Sequence, residues 1–472
     1  MDDSIQISKK NISSRIQTSN YDEDFENLQS LCYKEQFSEE LIWCNLVVDN
    51  IQSASIDEPV SCKVSWTGFH SLQNRDTSEK RITTDSMLPV IDHVVHDAAF
   101  QYHVLCISRD YTSYLNPGQT TVSCADQPLY ALKKMLLWAY PNRFLKSESF
   151  TPDVFAFFGP LHIEQIFLIC TGELIKGTGL EDLLSSSGLS TVGLTTAICD
   201  VNHIKKSRYS GQVIAPVLGA LLRDAYQEAK AVGDEDLDKW CKGQKDESFM
   251  YFFGFLKHLL NVNLFVRSLR EASFELFVAS LEQLCPLLFS LDHIHYSRWI
   301  PVFNHELKLL KLSDPTLYHS FSMGHFVARK TDTDFSKIAF DQAHEQNNKI
   351  VKSRAGVSSL LNKEYTTFLR KMENVLPEIH SHLSLIECDS DQKLKYKESM
   401  PTFISQYIKD CRYVYSKIST NPFKMPRPIN TALAMPQNVV NDMNRVFSLG
   451  VELYEKCKET RFVCGTEDVL NS

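Results

Sequence analysis

The sequence predicts an α/β protein dominated by helices, with a small mixed central sheet embedded in a large helical bundle. Two observations carry that reading. The stretch from Phe249 to Leu310 holds three successive runs whose apolar residues recur at helical spacing. Two short runs of strand character, Thr120 to Ser123 and Val154 to Phe158, each end at a break followed by polar residues and a helical pattern, the arrangement that places a strand beneath a covering helix.

The totals narrow the function classes. At 472 residues the chain exceeds the usual size of a single core, so two or more sub-cores are expected. A net charge of -9 argues against a surface that is basic overall, and so against strong non-specific nucleic-acid binding, while leaving room for a local basic groove. Thirteen cysteines, with no Cys-x-x-Cys pair, fit reduced thiols in the nucleus or cytoplasm. The polar start MDDSIQISKKN has no apolar core of a secretory leader. Phe249 to Arg270 has membrane length, but Lys257, His258, Asn261 and Asn263 fall near its midpoint, so it reads as a buried helix and no membrane is expected.

In chain order, residues 1–30 read as a polar, disordered tail and residues 31–232 as an N-terminal α/β region. Cys62 to Trp66 alternates like a strand. Thr84 and Asp85 can cap a helix carrying Ile91, Val94, Val95, Ala98, Ala99, Tyr102 and Leu105 on one face. His93, His96 and Asp97 lie on the same run, but a metal site built from one helix is unusual, and exposed polar positions explain them. Asn116-Pro117-Gly118 turns the chain into the first strand, after which Asp126, Gln127 and Pro128 open a helix. Asp126 is placed either as an N-cap or as a functional carboxylate at a strand end. The second strand breaks at Gly159-Pro160 and gives way to a helix carrying His162 and Glu164. Lys205, Lys206 and Arg208 form a small basic cluster of the kind that is usually a solvated face.

Residues 233–247 are a polar connector, and residues 248–418 form the bundle. Its first helix is apolar nearly all round, with a thin stripe of Gly254, Lys257, Asn261 and Ser268, so it should be central, and Phe253→Asp should prevent folding. The second helix has one apolar face and Pro286 near its end, where a kink is expected. Cys285, His293, His295 and His305 share no helical face and read as core or rim residues rather than a metal set. His325 to Arg329 and Ser336 to Phe340 read as short strands leading into a polar helix at 341–348, DQAHEQNN. Asp341 and Glu345 are four apart and share a face, with Lys349 beyond them. An acidic first turn suits the helix dipole, but Gln342, Gln346, Asn347 and Asn348 beside two carboxylates also suit a functional site. A proline-rich loop at 419–436 and a helix and tail at 437–472 close the chain.

The segments ADQPLYALKKMLLW, FGPLHIEQ, RSLREASFELFVASL, HYSRWIPV, GHFVARKTDTDFSKIAFDQAHEQNNKIVK and STNPF resemble a large family of uncharacterised proteins carried in many copies by aquatic invertebrate and fish genomes. Its multiplicity implies a mobile-element origin, and the acid-bearing strand ends resemble, more loosely, the RNase H-like core of transposases. That resemblance implies a magnesium-dependent phosphodiester cleavage or strand-transfer site acting on DNA. Asp126, Glu345, Glu164 and Asp341 are its catalytic candidates, and Asp126 and Glu345 its metal ligands. His162, Gln127, Gln346, Asn347 and Lys349 are the substrate-binding candidates. Where the family favours Gly-Gly before Leu-His-Ile-Glu, this chain has Gly159-Pro160, and after the DQAHEQNN helix it has Arg354-Ala355-Gly356, the changes of a decaying copy. The alternative is a non-catalytic helical interaction scaffold whose polar motifs are caps and buried networks.

Overall fold

The computed structural model describes residues 23–53, 64–73, 82–84, 91, 93–146, 152–186, 192–230, 236–331, 334–355, 406–424, 433–435 and 445–462. The tail over 1–22, most of the helices expected after Gly356 and much of the proline-rich loop lie outside them.

Helix α10 (Glu247–Glu271) is the centre of the bundle, as its sequence requires. Asp246 starts it by accepting from the Phe249 amide at 2.8 Å, and Ala272, in the left-handed region at φ 59°, ends it. Phe252, Phe255, Leu264 and Phe265 are fully buried, whereas Gly254, Lys257 and Asn261 mark its more open side. Phe253 belongs to that side, half-buried under the Lys257 ammonium, which stands 4.3 Å from its ring centre; the residues that cannot accept a charge are its neighbours Phe252 and Phe255. Although α10 is long and apolar enough to cross a membrane, 78% of that window is buried inside the protein. Around it pack α1 (Glu23–Gln52), α5 (Pro160–Ile175), α8 (Ile204–Lys230) and α11 (Phe274–Ser290). Next to α11 lie α12 (Ile294–Ser313) and α16 (Val446–Phe462). The remaining helices are α2 (Trp66–Gln73), α3 (Ala98–Leu115), α4 (Gln127–Ala139), α6 (Leu180–Ser186), α7 (Val192–Cys199), α9 (Leu237–Gly243), α13 (Pro315–Ser322), α14 (Phe340–Ala355) and α15, residues 406–417.

The sheet is smaller than expected and not mixed. It has two parallel strands, β1 (Thr121–Ala125) and β2 (Val154–Phe158), in register from Thr121 opposite Val154 to Ala125 opposite Phe158. The other three expected strands do not form among the described residues. Cys62 and Lys63 lie outside them, and Trp66 opens α2, because Trp66, Phe69 and His70, at spacings of three and four, form a buried helical face. Ser336 to Phe340 and His325 to Arg329 contribute a single antiparallel bridge, Ala328 to Ile338, closed by amide bonds of 2.8 and 2.9 Å. The helix expected from Thr84 begins only at Ala98. Asp97 is the cap, accepting from the Phe100 amide at 2.7 Å, while Thr83 is held against Arg329 by two hydrogen bonds, so Ile91, Val94 and Val95 stay exposed outside the helix.

One apolar cluster runs from Trp43 to Tyr454, and a small satellite of Leu105, Leu136, Phe144 and Val154 sits under α3 and α4. Strands, bundle and C-terminal helix thus share one main core.

Candidate functional site

The carboxyl ends of β1 and β2 turn directly into helices. Asp126, extended at φ -66° and ψ 173°, accepts from the Leu129 amide at 3.3 Å and caps α4, with Pro128 in the first turn where no amide donor is needed. On β2, the Gly159 amide continues the ladder by donating to the Ala125 carbonyl at 2.8 Å, and α5 starts one residue later at Pro160. Gly159 occupies the N-cap position and has no side chain with which to cap. The first amides of α5 therefore need an acceptor from elsewhere.

Asp341, in the first turn of α14, is that acceptor. Its carboxylate takes the Leu161 amide at 3.1 and 3.0 Å, the His162 amide at 3.3 Å and the His162 ring Nδ1 at 2.9 Å, as well as the Gln342 amide of its own helix at 3.1 Å. A Cβ on residue 159 would stand 2.3 Å from Asp341 Oδ2, so glycine is what lets the carboxylate in. One turn along α14, Glu345 Oε1 lies 3.7 Å from the other ring nitrogen of His162. His162 is half-buried. Its hydrogen bond to Asp341 raises its pKa above the ordinary 6.5, overcoming burial, and the charges of Asp341, Glu345 and Asp126 add to the rise. The ring thus sits between the carboxylates of Asp341 and Glu345.

His162 contacts two of the other nominated residues, Asp341 and Glu345, and Asp126 bears on His162 electrostatically. Glu164 is not with them. Two residues on from His162, it points to another side of α5, where it is buried and gripped through both oxygens by Arg208 Nε and Nη2 of α8. Gln127 opens α4, Asn347 lies 3.5 Å from Lys330 Nζ, and Gln346 and Lys349 are exposed. The two features that the sequence reading missed are the trans cap by Asp341 and the Glu164 to Arg208 pair. Only the first left a signal, a helix start at Gly-Pro with no capping side chain of its own.

Asp341 has little left to offer a two-magnesium centre. Both oxygens of Asp341 already meet N–H donors, the Leu161, His162 and Gln342 amides among them. Among the described residues, no group of three or more His, Cys, Asp and Glu side chains is arranged to hold a metal ion. Nor do the bundle residues form such a set. His293 faces Glu173 at 3.3 Å, and burial lowers the His305 pKa to about 4.

Fold and site together define a helix-dominated protein whose two-stranded parallel sheet ends in a knot of acids around one histidine. Residues 217–464, more than half of the chain, match a domain of unknown function, DUF8702, and the chain belongs to that family. The match includes Asp341 and Glu345 but begins after β1, β2 and α5, so the knot joins the family domain to the segment before it. No curated protein and no solved structure matches the chain.

Proposed function

We propose that this protein is a non-catalytic helical scaffold, acting on protein partners in the nucleus or cytoplasm, and that the knot of Asp341, His162 and Glu345 is a structural latch. The observation that carries this reading is the saturation of Asp341. A carboxylate accepting from two foreign amides, one amide of its own helix and an imidazole works as a cap across two elements, and little of it is left for a ligand. Glu345, longer in its contact and 42% exposed, adds little to the latch.

A second reading, the relict metal-dependent phosphodiester site of a transposon-derived, RNase H-like protein acting on DNA, draws on the same neighbourhood. What favours it is that three acids, Asp126, Asp341 and Glu345, all act on one histidine at the carboxyl ends of two parallel strands. Magnesium would then rely on Asp126 and Glu345.

Comparing two variants separates the readings. The latch predicts that Asp341→Ala lowers unfolding free energy by about 3 kcal/mol, since it leaves capping donors and a histidine without their acceptor, while Glu345→Gln changes it by less than about 0.5 kcal/mol. A metal site predicts the reverse tendency. Removing either acid from a crowded, metal-free cluster relieves repulsion and stabilises the protein, and that result in urea unfolding would overturn the latch.

A further inference from the structure

At the opposite end of the two strands, α4 and α12 flank β2 and leave a cavity between them. Lys134, Leu137 and Trp138, on one face of α4, and Glu306, Leu309 and Ser313, on one face of α12, share a cavity of about 290 Å3 with Phe155 of β2. The surrounding backbone is pinned. Leu145 and Pro152 form an antiparallel bridge, the Asp153 amide donates to the Phe144 carbonyl at 2.7 Å, and Thr120 Oγ1 donates to Asp314 Oδ2 at 2.5 Å just past the end of α12. The cavity is therefore part of the fold and not a gap between loose segments.

Its lining is apolar apart from one ion pair and Ser313 at the rim. Lys134 Nζ donates to Glu306 Oε1 at 2.5 Å and stands 5.2 Å from the ring centre of Trp138, which is itself stacked on Trp299. The second oxygen of that carboxylate, Glu306 Oε2, has no hydrogen-bond partner. Since the pair is neutral as a unit, a charged ligand would find no counter-charge, and what the site still lacks is one donor for one oxygen. Oε2 is shielded in the free protein, and it meets a ligand donor when the carboxylate turns about its soft terminal torsion and Lys134 Nζ follows Oε1, with no movement of α12.

We infer that this cavity binds a compact, uncharged aromatic molecule carrying one ring N–H, the indole class of ligand. The ring packs among Phe155, Leu137 and Trp138, and the N–H is donated to Glu306. The site is independent of the latch, at the other end of the sheet.

The test is a titration of indole into the full chain, followed by calorimetry and ligand-observed NMR. Saturable binding is expected, with 1-methylindole, which has the same shape but no donor, binding about tenfold more weakly. Ser313→Trp, at an exposed position on the rim, should abolish indole binding and leave thermal unfolding unchanged. Absence of saturable indole binding, equal affinity for the two probes, or unaltered binding to Ser313→Trp would each overturn the inference.

Discussion

Histidines in this molecule respond to pH in opposite senses, according to what surrounds each ring. His258 is buried in α10 against Thr171, 3.0 Å away, and burial lowers its pKa from 6.5 to about 4; His305 is lowered to about 4 by burial, with Lys308 adding to the effect. A histidine kept neutral by the fold contributes stability that is complete above its unfolded value near 6.5 and is lost as pH falls toward its folded value. His162 runs the other way, its contribution complete below 6.5 and lost as pH rises through its raised value. Denaturant unfolding between pH 7 and pH 4 should therefore show a fall in stability that His258→Gln reduces by on the order of 3 kcal/mol. An unchanged pH slope would mean that the ring is hydrated in solution. At this scale the sequence was informative where partners are local. The spacing of four puts Asp341 and Glu345 on one face, and Asp126 before Gln127-Pro128 reads as a cap. It grouped Glu164 with the catalytic candidates and gave no sign of its partner Arg208, which is 44 residues away and belongs to a helix whose orientation no local pattern reveals.

Elements with strong periodicity were legible, and those built by long-range pairing were not. α10, α11 and α12 lie close to where the apolar spacing puts them, because each carries its own backbone hydrogen bonds. A short strand needs a partner, and only two of the expected ones found one; the segment at 336–338 makes a single bridge before Phe340 begins α14. The docking of α16 also lay beyond sequence reasoning. It rests on Glu282 of α11, which Asn304, Lys308, Tyr454 and Lys458 all contact; burial would raise its pKa, but the two lysines outweigh that and hold it below the usual value. It rests as well on Gly450, where a Cβ would stand 2.5 Å from the Pro286 carbonyl oxygen. Backbone cannot yield as a flexible side chain does, so Gly450→Ala should push α16 away and cost about 1–3 kcal/mol, whereas Val451→Ala, at an exposed position, should be near neutral. Equal midpoints for the two variants in urea would show that α16 is not seated on Pro286.

On the scale of the whole molecule, the length of the chain suggests two or more sub-cores, and the described residues form one large apolar cluster that includes both strands, the bundle and the C-terminal helix, beside the small satellite under α3 and α4. Acids and a histidine do meet at the strand ends, but in an arrangement that closes the helix α5 and ties it to α14. The central claim is that this knot is spent on structure. Thermal unfolding of the full chain across a magnesium and manganese titration tests it most directly, because an ion that binds only the native state must stabilise it, by about 2.7 kcal/mol at a hundred times its Kd. The latch predicts a Tm that does not move with either ion. A saturable rise in Tm that disappears in Glu345→Gln would contradict it and establish a metal centre in its place.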